Sequence, residues 1–578
     1  MLDSASWIET DILVVGTGAA GCRAAIEACE YAADVVLVAK GTPGRVGSTN
    51  LAGVHYAAAL GHTDPRDNPW HHFEDTVIEA RWIGDQELIK IMCLNSPKTV
   101  YDLERYGLRW YRMAEDDTRY YQLPTPGHSF DRGVHFNLRT GKMVQDKLMD
   151  EVGRHADITV LPDTFITSVL IENGIVVGAT GIDLQTGELL VISAKAVVLA
   201  TGGAGMMYKV TDMETGSTGD GIAMAYRAGA DLIAPEMHQF FPTAFVWPES
   251  LRGVAVNSSQ LWKLGLRLYN ANDERFMECY YPEWKENMPR DILTQCIFRE
   301  IQEGRGTEHG GVWLDTRWIE GWEKLRKEKA RSYIFPAKFG INTERFEIAP
   351  TYHFTLGGVR INSESETCIN GLFACGEIVG ATHGANRLGG NALAECMVFG
   401  EIAGRNAAIR ALDHRRQESV RESLVKKEQG RLRTILQSQG ESGRRPGEIF
   451  EELRHVMYHN VGIVRDEKRL EHAIDEIGRL REDARTMHLS DIEQFNNEWV
   501  WALELDCMLE LADIFARGAL MRTESRGAHY RSDYPETDDE NWLKNIFVKR
   551  ENGGPVFWTE PVKLLYLKEV EARYEAAV

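Results

Sequence analysis

The turn around Arg387 places a fixed positive charge inside a glycine-rich loop. Gly389 and Gly390 follow Arg387, and an apolar, helix-like pattern begins near Asn391. Glycine lets backbone amides come close to a ligand, and the first turn of a helix carries partial positive charge. The turn therefore predicts a site where a cofactor or substrate bears negative charge.

The first 40 residues follow the order strand, glycine turn, helix, strand. An apolar run ends at Gly16, and Gly18 and Gly21 complete the spacing of a dinucleotide-binding fingerprint. These glycines make the turn, admit a pyrophosphate and allow close helix packing. The second strand ends at Lys40 instead of the acidic residue that usually binds a ribose, so we expect the ribose contact elsewhere.

Three later segments, residues 199–205, 218–221 and 372–377, repeat the glycine-turn pattern. In the last of them, Glu377 is placed to accept hydrogen bonds from ribityl or ribose hydroxyls. Turns spread this widely favour one long ligand across a sheet, and therefore FAD over NAD. The predicted FAD-binding residues are Gly16, Gly18, Ala19, Ala20, Gly21, Lys40, Ser48, Thr49, Asn50, Gly53, Ala200, Thr201, Gly202, Asp220, Glu377, Asn391, Ala392 and Leu393.

Composition narrows the class of protein. The 578 residues are 43% hydrophobic and 26% charged, which indicates a globular protein of several domains. The net charge of −21 disfavours nucleic acid as a partner, so local arginines must hold any carboxylate. The nine cysteines form no CxxC pair, so we expect neither a metal nor an iron–sulfur centre in this chain. No apolar run is long enough to span a bilayer, and the first strand begins within about ten residues, so we expect a cytoplasmic location.

The positions of the motifs predict the domain organisation. The fold class is α/β, with a Rossmann-like FAD-binding domain formed by residues 1–245 and 346–410. An α+β capping domain, residues 246–345, interrupts it. A helical domain, 411–520, and a C-terminal segment, 521–578, follow.

Four segments, in this order, resemble one known family. Residues 350–358, 384–391, 461–466 and 524–535 look like the motifs of the succinate dehydrogenase and fumarate reductase flavoprotein subunits. L-aspartate oxidase and, more distantly, adenylylsulfate reductase belong to the same group. The resemblance extends over almost the whole chain.

The resemblance implies roles for three residues. Arg290 matches the arginine that transfers a proton at the substrate carbon, and His353 and Arg387 match the pair that grips a substrate carboxylate. Such an arginine must lie among other cations in a dry site, which a closing capping domain can supply. The structural alternatives are that Arg290 caps a helix and that His353 binds a core carbonyl.

The chain also departs from the family at the predicted substrate pocket. Phe241 replaces a histidine, and His238, at an odd offset along a strand, points to the opposite face and is expected to be structural. Residues 257–265 lack both family glutamates, so the proton relay is lost or rerouted, and Ser258 or Ser259 is left to bind a substrate oxygen. Together with Phe241, Trp262 makes the far end of the pocket apolar, which favours a substrate other than plain fumarate or succinate.

A further departure concerns the cofactor link. Ser48 replaces the histidine that binds FAD covalently in some family members, so non-covalent FAD is expected.

Three functions remain open at this point. The favoured one is an enzyme subunit that reduces or desaturates a C–C bond next to a carboxylate, with a small anionic substrate. Its electrons would pass through a separate iron–sulfur subunit, and a location at the membrane surface through that partner stays open. The second is an enzyme like L-aspartate oxidase or adenylylsulfate reductase, although a missing glutamate would leave an amino acid's ammonium unpaired. The third is an electron-transfer subunit with a degenerate substrate pocket.

Overall fold

The computed structural model describes residues 5–53, 55–125, 127–136, 139–256, 262, 265–288, 290–319, 321, 344–413, 420–436, 443–490, 492 and 494–566. The strands of these segments are β1 (Ala5–Val15), β2 (Val35–Val38), β3 (Tyr56–Ala57), β4 (Gln122–Leu123), β5 (Gly133–Val134), β6 (Ile158–Leu161), β7 (Thr164–Glu172), β8 (Ile175–Asp183), β9 (Leu189–Leu199), β10 (Leu232–Ile233), β11 (His238–Phe245), β12 (Arg267–Tyr269), β13 (Val312–Asp315), β14 (Arg345–Thr355), β15 (Gly358–Val359), β16 (Leu372–Ala374), β17 (Val464–Arg465), β18 (Tyr530–Arg531), β19 (Lys544–Glu551) and β20 (Gly554–Pro561). The α-helices are α1 (Ala19–Glu30), α2 (Pro69–Glu79), α3 (Gln86–Arg105), α4 (Thr140–Val152), α5 (Asp220–Ala228), α6 (Phe276–Tyr280), α7 (Arg290–Glu300), α8 (Asn391–Asp413), α9 (Glu422–Leu436), α10 (Pro446–Val456), α11 (Glu467–Arg485), α12 (Asn497–Met521) and α13 (Asp539–Trp542).

The central sheet brings the glycine turns together. Its strand order is β6–β2–β1–β9–β8–β7, and β16 pairs with β9. β1 runs parallel to β2 and β9, with Val15 aligned to Val38 and Leu199, and β16 runs parallel to β9. Because parallel strands end at the same edge of a sheet, the turns after β1, β9 and β16 meet there.

Small residues let α1 and α8 pack closely. A Cβ added at Gly400 would lie 2.7 Å from the carbonyl oxygen of Ala20, and one at Gly404 would lie 2.2 Å from that of Ala24. Side chains at either glycine would push the helices apart. This contact fixes α8, which begins at Asn391 as the sequence predicts.

A second sheet, β11–β14–β13–β12, is antiparallel. β11 and β14 flank the predicted capping segment, and β12 and β13 lie inside it, so the sheet joins strands from both sides of the predicted boundaries. Phe241 of β11 aligns with Thr351 of β14, and the register shifts on both sides of Phe241. The division into four domains stays a prediction.

The C-terminal part is helical, as predicted. Leu432 of α9 and Met508, Leu509 and Ala512 of α12 are buried, in agreement with their helix-like spacing. The α/β fold class followed by helices is therefore confirmed. None of the described helices is long and apolar enough to cross a membrane.

Candidate active site

A cavity of about 1960 Å³ lies where the glycine turns of the central sheet meet. Most of the predicted FAD-binding residues line it, although they come from distant parts of the chain. These lining residues are Gly16, Gly18, Ala19, Ala20, Lys40, Ser48, Thr49, Asn50, Gly53, Ala200, Thr201, Gly202, Asp220, Glu377, Ala392 and Leu393.

Two of the predicted FAD-binding residues, Gly21 and Asn391, do not line the cavity. A Cβ at Gly21 would lie 1.8 Å from the carbonyl oxygen of Gly16, so this glycine lets α1 pass beneath the turn. Asn391 is buried, its Oδ1 lies 2.8 Å from Nε2 of His72, and its Nδ2 donates to Oγ1 of Thr76 at 3.1 Å. The side chain of Asn391 therefore fastens the start of α8 to α2.

The cavity wall has polar groups that fit FAD. The side-chain oxygens of Thr17 (Oγ1), Asn50 (Oδ1) and Thr201 (Oγ1) are buried without a hydrogen-bond partner among the described residues. All three residues line the cavity, and buried polar atoms normally have partners. Gly16 has φ +113°, and a Cβ there would lie 2.3 Å from the carbonyl oxygen of Ala200, so the turn stays open for a pyrophosphate. The residues present therefore fit the cofactor.

Lys40 belongs to a charge network at the ribose end of the fingerprint. Its Nζ lies 2.8 Å from Glu504 of α12 and 3.4 Å from Asp220, and it donates to the carbonyl oxygen of Gly216 at 2.9 Å. Asp220 and Glu504, both of which line the cavity, raise the pKa of Lys40 against the opposing effect of burial. Acidic groups near the end of β2 thus come from α5 and α12, in line with a ribose contact from elsewhere in the chain.

Glu377 lies at the cavity wall, three residues after β16. Its Oε1 accepts a hydrogen bond from the backbone N–H of Thr355 at 3.0 Å. Burial raises the pKa of Glu377 to about 8, with smaller upward contributions from Glu395 and Asp212. The carboxyl group is therefore protonated at neutral pH until a ligand supplies hydrogen-bond donors.

Arg290 and Arg387 form a cationic part of the same cavity. Burial lowers the pKa of Arg387 to about 10, and the nearby charge of Arg290 acts in the same direction. The Arg387 guanidinium lies 4.8 Å from the ring centre of Phe354 and donates to the carbonyl oxygen of Leu388 at 3.3 Å. Neither arginine forms an ion pair with a described carboxylate, and the Nε of each is buried without a partner in the described chain.

His353 and Phe241 complete this part of the wall. Nδ1 of His353 lies 2.7 Å from Oδ2 of Asp212. The ring of Phe241 lies 5.5 Å from that of His353 and 5.2 Å from the guanidinium of Arg290. The structure thus brings Arg290, His353, Arg387 and Phe241 into one cavity, and their roles stay predictions.

The other predicted pocket residues differ in their placement. Trp262 is buried in the hydrophobic cluster of the second sheet with Leu268 and does not line the cavity. Its apolar character serves packing there, which corrects the prediction of an aromatic substrate contact. Ser258 and Ser259 lie outside the described residues. His238 is fully buried, its Nε2 lies 2.9 Å from the carbonyl oxygen of Pro235, and burial lowers its pKa to about 3.

His55 is a cavity residue that the sequence does not reveal. It stands alone among small and apolar residues, and no motif marks it. Its Nε2 lies 3.1 Å from Oγ1 of Thr125, and its Nδ1 has no partner among the described residues. Burial lowers the pKa of His55 to about 3, and His128 and Arg290 act in the same direction. A neutral imidazole therefore faces the two arginines.

Comparisons with known proteins identify the family of this chain. The family described as FAD binding domain matches residues 11–393, and the family described as fumarate reductase flavoprotein C-term matches residues 450–574. One subunit of the fumarate reductase (CoM/CoB) of Methanothermobacter marburgensis is 40% identical over 545 residues, which are 94% of this chain and 97% of that protein.

Solved structures show the same fold. Mycobacterium smegmatis Sdh1 in complex with UQ1 has a TM-score of 0.90 and 31% identity, over 98% of both chains. Adenylylsulfate reductase from Archaeoglobus fulgidus has a TM-score of 0.79 and 20% identity, over 98% of both chains, and so shares the fold alone. The chain therefore belongs to the fumarate reductase and succinate dehydrogenase flavoprotein family, and it is an FAD-dependent oxidoreductase that acts on CH–CH groups.

Proposed function

We propose that this chain is the catalytic subunit of a complex that adds or removes hydrogen across a C–C bond next to a carboxylate. The observation that carries the proposal is that Arg290 and Arg387 both line the FAD cavity, each with a buried Nε, and that neither forms an ion pair with a carboxylate of the described residues. Two buried cations that lack an ion-pair partner in the described part of the chain are costly, and an anionic substrate would supply negative charge. A flavin that only relays electrons would have no need of them.

The proposed reaction assigns a separate role to each residue of the site. Arg387 and His353 hold the substrate carboxylate, and Asp212 orients the imidazole through its Nδ1, which leaves Nε2 for the substrate. Arg290 exchanges a proton with the substrate carbon. Bound FAD supplies the hydride chemistry. Arg387 and Phe241 are buried in this wall, and burial strengthens electrostatic contacts with a bound anion.

Phe241 defines the class of substrate. Its ring lies near both the Arg290 guanidinium and the His353 ring, at 5.2 and 5.5 Å from them, and it cannot donate a hydrogen bond to a second carboxylate. The site therefore suits a carboxylate with an apolar group at the far end of its double bond better than a dicarboxylate. Fumarate, for which the Methanothermobacter relative is named, is the natural comparison substrate.

An electron-transfer partner completes the proposal. The Methanothermobacter relative is named as one subunit of its enzyme. Among the described residues, no group of three or more His, Cys, Asp or Glu side chains could hold a metal ion. We therefore propose that electrons pass through a separate iron–sulfur subunit, in the cytoplasm or at a membrane surface to which that partner binds.

Anaerobic reoxidation of the flavin tests the substrate class. The FAD-loaded protein is photoreduced, and absorbance is followed after addition of fumarate, an enoate with an apolar β-substituent, or adenylylsulfate. Fast reoxidation by the apolar enoate and slow reoxidation by fumarate are expected. Fumarate as the fastest acceptor would overturn the substrate class, and reoxidation by adenylylsulfate alone would overturn the CH–CH site.

A further inference from the structure

Two helix ends meet behind the cationic wall of the cavity. Glu79 is the last residue of α2, and Arg290 is the first residue of α7. Arg81, two residues after Glu79, forms an ion pair with Asp291 at 3.3 Å. Since Arg81 and Asp291 lie one or two positions along the chain from Glu79 and Arg290, this ion pair shows that the end of α2 lies next to the start of α7.

The two oxygens of Glu79 have different surroundings. Oε1 accepts a hydrogen bond from Nδ2 of Asn386, the residue before Arg387. Oε2 lies 3.4 Å from the position that a Cβ on Gly127 would take, and Gly127 is exposed. Gln239 in turn donates to Oδ1 of Asn386 at 2.6 Å, which fixes the amide. The carboxyl group of Glu79 thus lies between Asn386, in the turn that contains Arg387, and the exposed residue Gly127.

The charges around Glu79 come from both helix ends. Burial lowers the pKa of Arg290, and Glu79 is the described acidic group whose charge opposes this effect. Burial also raises the pKa of Glu79. Asp291 and Asp75 raise it as well, whereas Arg81 and Arg290 lower it. A half-buried carboxyl group with a raised pKa exchanges protons closer to neutral pH than an ordinary glutamate does.

We propose that Glu79 is a positioning residue that returns a proton to Arg290 after each reduction of the substrate. This inference rests on the proposed function. Arg290 gives one proton to a substrate carbon, Glu79 gives its proton to Arg290, and Glu79 recovers a proton from water at the surface near Gly127. The hydride for the other carbon would come from reduced FAD, held by the cavity residues described above. One hydride and one proton are added, and no charge is left on the protein.

The proposal accounts for a departure in the sequence. Residues 257–265 lack the glutamates that the family resemblance assigns to the proton path. Glu79 comes from a different part of the chain, the end of α2, and its carboxyl group is held by Asn386, the neighbour of Arg387. A carboxyl group is thus present near Arg290, although no motif predicts it.

The test compares Glu79→Gln with Glu74→Gln in the FAD-loaded full chain. Glu74 lies on the same helix, pairs with His71 at 3.3 Å and does not line the cavity. Photoreduced protein is mixed with the best enoate acceptor over a range of pH, and the rate of flavin reoxidation is recorded. FAD content and reoxidation by ferricyanide, which takes electrons without a proton from Arg290, show that each variant is folded.

The expected loss for Glu79→Gln is about 10- to 100-fold in maximal rate, with little change in the enoate concentration for half-maximal rate. The wild-type rate falls as the pH rises through the pKa of Glu79, since only the protonated carboxyl group can recharge Arg290. This pH dependence is expected to vanish in Glu79→Gln, to return in part in Glu79→Asp, and to remain in Glu74→Gln.

Two results would overturn the inference in distinguishable ways. A wild-type protein that reduces the enoate, together with a Glu79→Gln variant of equal rate and pH profile, would overturn the role of Glu79 alone. A wild-type protein that reacts with ferricyanide but with no enoate would overturn the proposed function, and the role of Glu79 with it.

Discussion

Replacement of Glu377 by glutamine is expected to remove a pH dependence from FAD binding. Glu377 is only 8% exposed, and burial raises its pKa from 4.5 to about 8 in the FAD-free chain. Ribityl or ribose hydroxyls that donate to this carboxyl group favour its ionised form. Binding of FAD is therefore coupled to the release of a proton from Glu377.

The magnitude follows from the two pKa values. With an ordinary pKa in the FAD complex, the dissociation constant rises about tenfold for each pH unit below 8, so binding at about pH 6 is about fifty-fold weaker than at about pH 8. The pH dependence of the stability of the FAD-free fold has the opposite sign to that of FAD affinity. Because the folded-state pKa is raised, Glu377 contributes its full stability below pH 4.5 and loses it as the pH rises through about 8, by about 5 kcal/mol in all.

Flavin fluorescence during titration of the FAD-free chain measures the effect. Glu377→Gln is expected to bind FAD with nearly the same affinity at both pH values. Glu364→Gln, which changes an exposed carboxylate before β16, should keep the wild-type dependence. His55 does not titrate in this range, since its pKa is about 3. A wild-type dissociation constant that does not change with pH, or a Glu377→Gln variant that keeps the dependence, would show that FAD binding does not release a proton from Glu377.

Three further results are expected. Phe241→His should raise the rate with fumarate relative to the apolar enoate by about 10- to 150-fold, because a charge-assisted hydrogen bond contributes about 1.5–3 kcal/mol; an unchanged ratio in single-turnover assays would argue against the pocket. Arg387→Lys should lower kcat/KM for every carboxylate by about 100-fold at unchanged FAD content, because the planar fork is lost; a rate near that of the wild type would exclude an anion contact. Acid precipitation should give a colourless pellet, since Ser48, whose Oγ lies 3.2 Å from Oγ of Ser217, cannot form the histidyl link; a yellow pellet would show covalent FAD.

The FAD cradle could be read from the sequence because its requirements are local. Position 16 has a positive φ and lies close to the backbone of Ala200. Only glycine satisfies both conditions, so a glycine directly after a predicted strand reveals the turn. Because parallel strands end at the same edge of a sheet, such turns meet there whatever the order of the strands in the sheet. The fold class was predictable for the same reason. The roles predicted for Arg290 and His353 rest instead on the family resemblance, because no sequence spacing links the two residues.

The rest depends on contacts between distant segments. Trp262 looks like a pocket residue in the sequence, but the second sheet needs its bulk in a core. Asn391 is the first residue of α8, but its side-chain amide is hydrogen-bonded to His72 of α2, more than 300 positions earlier in the chain. Neither partner can be identified from the pattern of one segment, because side-chain pairing across a fold is set by packing.

The charges of the cavity favour the proposed anionic substrate although the protein is acidic. The net charge of −21 repels anions at long range, but screening by salt weakens that field over about 8–10 Å. Inside the buried cavity, Arg290 and Arg387 repel each other, and an anion between them removes this cost. Glu79 acts on Arg290 without an ion pair, and it does not line the cavity. A direct ion pair would neutralise Arg290 and hold its proton more tightly. The separation therefore keeps the guanidinium available to the substrate and leaves a proton source within its field.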